Sequence, residues 1–474
     1  MRSNLLLGSN KSIYVFLSLL LGCLFSLSFD PYNIPFFALL IIGLFFKLND
    51  SLFRAFGKDY KFFFITGFFF GFGFFITSIY WITNSIIVYD SSLSYLIPFP
   101  LIFLPMVLGI FYGMMQILNI IIWSKDVSRI FYFSAFWSFS EIVRSTILTG
   151  FPWNLIAYSW SWSIDFMQSL SLFGVFGLGV ITVLCTAGIF SFQFKSVNIF
   201  ISIFSILTFF CLYLFGQNRI INYVNTYADS TEIRLISTNF SQEEKWNSKS
   251  VEAMISLASD NLITVFPETS FGAQNINHNN WFGGIITKKE RKFYNSIIYN
   301  GQQYDKRKLV PFGEFIPFSN FGLKNFLPIK SFSKGAKNDN FSEYFVPLIC
   351  YEGVFPHLTR ENIQEHSRLI VNITNDAWFG EGIGPEQHFT HVRFRTVEYG
   401  LPLVRSANMG ISALVNPVGE VISLIPSGTL SYKDIKIPDK INNTLYRSFG
   451  DKIAYFLIVL FFFIGYSTSK FFKD

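Results

Sequence analysis

Apolar and polar positions divide the chain into two textures. Up to about residue 216, long apolar runs alternate with short polar breaks; from there to about residue 451 the apolar runs shrink to a few residues, and one last long run closes the chain. A bilayer core needs roughly 20 apolar residues in a helix. Stretches of that kind fall at 13–29, 34–47, 62–82, 96–123, 130–148, 167–194, 199–215 and 453–469, which predicts eight membrane-spanning helices. The second is short, and the fifth is interrupted by Glu141 and Arg144, three apart on one helical face where they can pair with each other. Gly67 and Gly71, with Gly73 close by, have the small-residue spacing that lets helix backbones approach. Arg2 and Lys11 ahead of the first run give it the look of a secretory leader. No small-residue cleavage site follows, however, and a second apolar run begins almost at once, so the first run is expected to stay as a helix.

Charge then orients the bundle. Lysine and arginine fall in alternate breaks: Arg2 and Lys11, then Lys47, Arg54, Lys58 and Lys61, then Lys125 and Arg129, then Lys195, then Lys470 and Lys473. The intervening short breaks hold Asp30, Asp90 and Asp165 and no basic residue. By the positive-inside rule both termini are cytoplasmic. The expected division is 1–216 with seven spans, 217–451 on the outer side, and 452–474 with the eighth span and a cytoplasmic tail. Composition agrees with a lipid-solvated part, since only 14% of the 474 residues are charged, against about 25% in soluble proteins. The net charge of +6 comes without a basic patch interleaved with aromatics, so no nucleic-acid partner is expected.

The polar part reads as alternating strands and helices. Strands are predicted at 232–240, 262–266, 284–287, 296–299, 345–350, 369–374, 412–415 and 421–424, and helices at 242–257 and 386–398. Asn300-Gly301 is a hairpin signal. Such a pattern over some 220 residues suggests one layered α/β domain, large enough to bury a real core.

Cys23, Cys185 and Cys211 lie in apolar runs, where cysteine behaves as a small hydrophobe. Cys350 is alone in the polar part, which therefore forms no internal disulfide. No CxxC pair or histidine-rich cluster offers a metal site, and no cofactor is expected. Three polar groups follow apolar strands: Glu268 after 265–267, Lys306 ahead of 309–314, and Cys350 after 346–349. A group placed there sits at a sheet edge, where rigid elements position catalytic side chains. A carboxylate that takes a thiol proton, a thiolate that attacks a carbonyl and an ammonium that stabilises the oxyanion are complementary parts for acyl transfer. Spacing alone leaves the bland readings open: a packed core thiol, a solvated glutamate in a turn, and a surface lysine.

These segments resemble a known family. Phe266-Pro267-Glu268, the run from Lys306 to Glu314, and Ile349-Cys350-Tyr351-Glu352 are similar to the Glu-Lys-Cys motifs of the nitrilase superfamily. More narrowly, 309–314, 375–380, Gly384-Pro385 with Gln387-His388, Arg405-Ser406 with 408–411, and 149–153 in the apolar part resemble apolipoprotein N-acyltransferase. The resemblance implies an αββα sandwich on the outer face of a bacterial inner membrane. It implies an acyl donor phospholipid, a diacylglyceryl apolipoprotein as acceptor, and a monomer in the bilayer. It further implies that Cys350 is the nucleophile, Glu268 the general base and Lys306 the oxyanion stabiliser. Glu314 and Glu352 would orient Lys306 or the thiol, and Trp246 and Tyr351 would line the substrate site. One departure stands out: where the family has a longer arm after Glu268, this chain has the short polar stretch 274–280. Rival readings are a membrane-tethered nitrilase-type amidase, a transporter with an inert outer domain, and an inactive scaffold. Multiple spans argue against the first, and sparse intramembrane charge against the second.

Overall fold

The computed structural model describes residues 10–124, 126–192, 196–228, 231–272, 278–317, 331–337, 341–441 and 443–471. Its helices begin with α1 (Lys11–Phe25), α2 (Phe37–Phe56), α3 (Tyr60–Ser78), α4 (Asn84–Tyr89) and α5 (Leu104–Ile122). They continue with α6 (Ser128–Thr146), α7 (Ile164–Met167), α8 (Leu170–Phe190), α9 (Ser196–Ile221) and α10 (Ser248–Ile255). The last are α11 (Pro356–Asn362), α12 (Ile383–Tyr399), α13 (Leu445–Phe449) and α14 (Lys452–Phe471). Contacts divide the chain into two units. One comprises Met1–Thr83, Leu93–Ile221 and Phe449–Asp474, and the other Asn84–Ser92 and Asn222–Ser448. The short segment Asn84–Ser92, expected as a break between two spans of the membrane part, thus groups with the second unit. Asn84 ties it there by donating its side-chain amide to the Phe379 carbonyl at 2.8 Å.

Six helical stretches among the described residues are long and apolar enough to cross a membrane: Lys11–Ser28, Tyr60–Ser78, Ser91–Ile122, Leu170–Phe190, Val197–Ile221 and Lys452–Lys470. The other two expected spans fold as helices α2 and α6, of 20 and 19 residues. Each carries three charged residues: Lys47, Asp50 and Arg54 on α2, and Arg129, Glu141 and Arg144 on α6. Arg2, Lys125, Lys195 and Lys473 of the charge pattern lie outside the described residues. The glycines of α3 pack as their spacing suggests. A Cβ on Gly67 or Gly71 would strike Tyr112 of α5, and one on Gly73 would strike the Leu19 carbonyl of α1. Phe25, Phe45, Phe70, Phe74, Tyr112 and Trp137 fill the space between helices, edge-on and tilted except for Phe45 and Phe70, which stack.

Glu141 and Arg144 do not form the pair their spacing allows. Glu141 accepts from the Ile156 amide at 3.0 Å and the Trp137 indole at 3.3 Å. Arg144 donates to the carbonyls of Phe151 and Trp153 at 2.7 and 2.8 Å. Backbone groups of a buried loop need partners as much as the charges do. Both side chains therefore turn to the loop after α6.

Among its described residues the second unit contains eleven strands: β1 (Glu232–Ser237), β2 (Ile263–Val265), β3 (Trp281–Lys289), β4 (Lys292–Tyr299), β5 (Gln302–Asp305), β6 (Phe345–Ile349), β7 (Leu369–Asn375), β8 (Leu403–Asn408), β9 (Ser412–Val415), β10 (Val421–Ile425) and β11 (Ser431–Lys436). They form a six-stranded sheet ordered β11-β1-β2-β3-β4-β5 and a five-stranded sheet ordered β10-β9-β8-β7-β6. β1, β2 and β3 run parallel, as do β6, β7 and β8. Alternation assigns each face. Leu235, Val265, Phe282 and Ile297 of one sheet meet Ile349, Val371, Ile373 and Val404 of the other in a shared core. Ile236 and Phe266 point the opposite way and pack on Val251 and Met254 of α10. On the far side of the five-stranded sheet, α11 packs on β6 and on α12. The layers are helix, sheet, sheet, helix, as the resemblance implied.

Local detail departs from the sequence reading in several places. The predicted helix at 242–257 begins only at Ser248, because Asn247 is extended and its side chain accepts from the Lys249 amide as an N-cap. β5, β8 and β11 were not predicted. β8 carries Arg405 and Asn408 in fully buried positions, which hides the apolar signature of a core strand. The Asn-Gly signal is realised between β4 and β5, with Asn300 at φ 48° and Gly301 at φ 72°.

Candidate active site

Glu268, Lys306 and Cys350 each follow a strand end, and hydrogen bonds join Lys306 to Glu268 and to Glu314. Glu268 lies three residues beyond β2, with Gly284 of β3 tight against it. A Cβ at Gly284 would come within 2.4 Å of the Pro267 carbonyl and 2.8 Å of the Glu268 Cα, so only glycine lets this backbone approach. The Glu268 carboxylate accepts from Asn295 Nδ2 at 2.6 Å and from Lys306 Nζ at 3.0 Å on one oxygen. Its other oxygen accepts from the Asn375 amide at the end of β7, 2.9 Å away, so it joins the two sheets.

Lys306 directly follows β5, and its amide donates to the Asn295 carbonyl at 2.8 Å. Its Nζ also donates to Glu314 at 2.9 Å. Glu314 is placed by its own loop, accepting from the Val310 amide at 2.8 Å. Asn295 donates to Glu314 as well, at 3.1 Å, and so bridges both carboxylates that hold the ammonium.

Cys350 sits just past β6 with φ 49°, a left-handed conformation that a non-glycine residue adopts at a cost of about 1–3 kcal/mol. It opens a short helical turn, Cys350–Val354. Glu352 holds that turn from within. One of its oxygens accepts from the Ile349 amide at 2.8 Å. The other accepts from the Arg307 amide at 2.6 Å, the Lys308 amide at 3.2 Å and the Tyr304 hydroxyl at 3.1 Å. Glu352 thus ties the strand end before Cys350 to the segment after Lys306, without reaching the ammonium itself.

Burial and neighbouring charge set the protonation states. Burial opposes ionisation of Glu268, but Lys306 and Lys245 outweigh it and hold the carboxyl below its usual range. Burial likewise works against the Lys306 charge, and Glu268 with Glu314 reverses that, keeping the ammonium well above its usual pKa. The Cys350 thiol is pushed up to about 12, first by burial and then by Glu268, with Lys306 pulling the other way. At neutral pH the resting site therefore holds a carboxylate, an ammonium and a neutral thiol.

Lys245 belongs to this site and was not singled out from the sequence. It is buried, and Nζ donates to the Glu268 carbonyl and the Thr269 hydroxyl, both at 2.6 Å. Burial pushes its pKa down to about 8, with Glu268 opposing. A lone lysine ahead of a capped helix looks like any surface lysine; its one signal is the neighbouring Trp246. That tryptophan is half exposed, and its indole donates to the Thr269 carbonyl at 2.8 Å. Tyr351 is buried edge-on to Phe355, with ring centroids 4.9 Å apart. Of the polar stretch 274–280, residues 274–277 lie outside the described residues. Among the described residues no cluster of histidine, cysteine, aspartate or glutamate could hold a metal.

Glu352→Gln is expected to destabilise the protein by about 1–3 kcal/mol, because an amide nitrogen would face backbone donors. Burial raises this carboxyl to about 7, above its unfolded value. Its contribution is therefore fullest in acid and is lost as pH rises through about 7. The variant should show a lower Tm and lack that pH slope between 5 and 8; an unchanged Tm would count against the anchoring role.

Comparison with known proteins agrees along the chain. The apolipoprotein N-acyltransferase N-terminal domain matches residues 21–188, and the carbon-nitrogen hydrolase domain matches residues 228–439. The apolipoprotein N-acyltransferase of Rickettsia bellii is 33% identical, over 95% of this chain and 97% of its own length. That of Rickettsia prowazekii is 31% identical, over 83% of this chain and 87% of its own. Among solved structures, an amidase from Nesterenkonia sp. covers 48% of this chain and 97% of its own at 13% identity, with a TM-score of 0.30, too weak a likeness to add weight. The two domain matches and relatives of this identity over nearly the full length place the chain in the apolipoprotein N-acyltransferase family.

Proposed function

We propose that the protein is an acyltransferase of lipoprotein maturation that works through a thioester on Cys350. It takes an acyl chain from a membrane phospholipid and passes it to the α-amine of the S-diacylglyceryl cysteine that begins an apolipoprotein. The observation that carries this reading is the ammonium of Lys306 clamped between Glu268 and Glu314 beside a neutral buried thiol. In the first step Sγ attacks the ester carbonyl while Glu268 takes the thiol proton, and Lys306 balances the charge forming on the carbonyl oxygen. The intermediate collapses, the C–O bond breaks, and the proton passes from Glu268 to the departing lysophospholipid oxygen. In the second step the neutral amine attacks the thioester carbonyl and gives its proton to Glu268. The C–S bond breaks, and Glu268 returns the proton to sulfur. The first lipid leaves before the second enters, so the kinetics are ping-pong.

Both substrates are lipids, which accounts for an enzyme built with membrane-spanning helices. In this reading α2 and α6 complete eight spans. The charge pattern then sets residues 217–451 in the periplasm and both termini in the cytoplasm, and the chain acts as a monomer. Trp246 and Tyr351 would line the lipid site. Purified protein incubated with acyl-labelled phospholipid should gain hydroxylamine-sensitive label on Cys350, and a diacylglyceryl-cysteine peptide should then carry the label away as an amide. Label released only as free fatty acid would overturn the transferase reading in favour of a hydrolase.

A further inference from the structure

A second buried polar chain reaches the Cys350 carbonyl. It is built from residues that the proposed reaction leaves without a part. Arg405 of β8 donates to Asp376 Oδ2 at 2.7 Å and to the Asn372 carboxamide oxygen. Asp376, just past β7, also accepts from the Thr374 hydroxyl at 2.9 Å and lies 2.9 Å from His388 Nδ1. Arg405 is itself 3.2 Å from that ring nitrogen. The other nitrogen, Nε2 of His388 on α12, lies 3.3 Å from the Cys350 carbonyl. Burial holds the ring below its usual pKa, and in the neutral tautomer with its proton on Nε2 it donates to that carbonyl while Nδ1 accepts from Arg405. Asn372 completes a second grip on the same strand, donating to the Leu348 carbonyl at 3.1 Å. Asn372, Asp376, His388 and Arg405 are all fully buried.

We propose that His388, seated by Asp376 and Arg405, is a positioning residue for acyl transfer: it holds the Cys350 carbonyl and so fixes the direction of Sγ. Cys350 occupies a left-handed conformation that its own side chain disfavours. Something must hold the peptide on each side of it. Glu352 grips the Ile349 amide before it, and His388 grips the carbonyl after it. With both peptide planes fixed, the Cα–Cβ bond has one direction. A hydrogen bond of 3.3 Å is long, as such bonds often are before substrate binds. The inference rests on Cys350 being the nucleophile, but its test does not require the acyl substrate.

Two near-isosteric substitutions separate positioning from packing. In His388→Gln the amide nitrogen reproduces Nε2 and can still reach the Cys350 carbonyl. In His388→Asn the carboxamide reaches only the Nδ1 position, keeps the contact with Arg405 and falls short of the carbonyl. The full-length protein is used, and Cys350 alkylation by iodoacetamide is timed alongside acylation by labelled phospholipid. The Asn variant should alkylate and acylate about 10- to 100-fold more slowly than the Gln variant, with KM for phospholipid the same within about twofold. Equal rates in the two variants would overturn the proposal, as would a difference carried by KM alone. Failure of either to fold would assign the histidine to structure and overturn it too. Wild-type protein that alkylates normally but takes no acyl label would instead count against the transferase reading, leaving the alkylation comparison to judge His388.

Discussion

Glu268→Gln is expected to slow acylation of Cys350 by about 10³-fold at neutral pH, within the span that a positioned general base contributes. The amide keeps the size of the carboxylate and can still accept from Lys306 and Asn295 on one side. It cannot take a proton. The variant also isolates the base from its electrostatic influence. Glu268 is one reason the thiol is pushed up to about 12, so removing its charge makes the thiolate easier to form while leaving no acceptor for the proton. Wild-type protein moves the proton during attack, whereas the variant must wait for free thiolate. Its rate should therefore climb roughly tenfold per pH unit below the thiol pKa, and the gap to wild type should narrow in alkali. Acyl-labelling rates between pH 6 and 9 measure this. A variant that acylates at the wild-type rate at pH 7 would remove Glu268 from the role of base.

Lys306→Met should cost about 10²–10³ in the acylation rate through the lost stabilisation of the oxyanion, and stability in addition. The ammonium is the counter-charge shared by Glu268 and Glu314, with Lys306 and Glu268 buried and Glu314 partly so. Without it two carboxylates face each other, with Asn295 the side chain that donates to both. Removing one member of a buried ion pair costs about 3–5 kcal/mol. The pH response should change sign. In the wild type Glu268 is held below its usual pKa, so the stability it contributes is present above its unfolded pKa near 4.3 and is lost as pH falls through the lower folded value. In the variant, repulsion and burial raise the carboxyl pKa, so mild acid should stabilise the fold. Tm measured at pH 5 and pH 8 tests this. Lys306→Arg is not a conservative replacement, since a planar fork cannot occupy the place of a compact ammonium.

What the sequence made legible follows from the range of each interaction. Long apolar runs and period-2 strands are local signals, so the helices and most of the central strands could be read directly. The trio at strand ends was visible as chemistry, but only the family motifs joined residues 38 to 82 positions apart. Lys245, by contrast, gave no signal beyond the neighbouring Trp246, because its role depends on the backbone of Glu268 arriving beside it from another strand. Arg405 misled for the opposite reason: a charge inside a strand reads as surface, and here Asp376 and Asn372 satisfy it in the interior. Glu141 and Arg144 had the right spacing for each other, and the loop after α6 offered both better-placed partners.

The segment Asn84–Ser92 has a practical consequence. In chain order it falls between α3 and α5, yet it belongs to the second unit, where Asn84 secures the turn that begins at Asp376. A soluble fragment cut at residue 222 would retain thiol, base and ammonium yet leave that turn uncapped, next to the very residue that seats His388. Sequence order and structural unit do not coincide here, so no single cut in the chain frees the second unit whole.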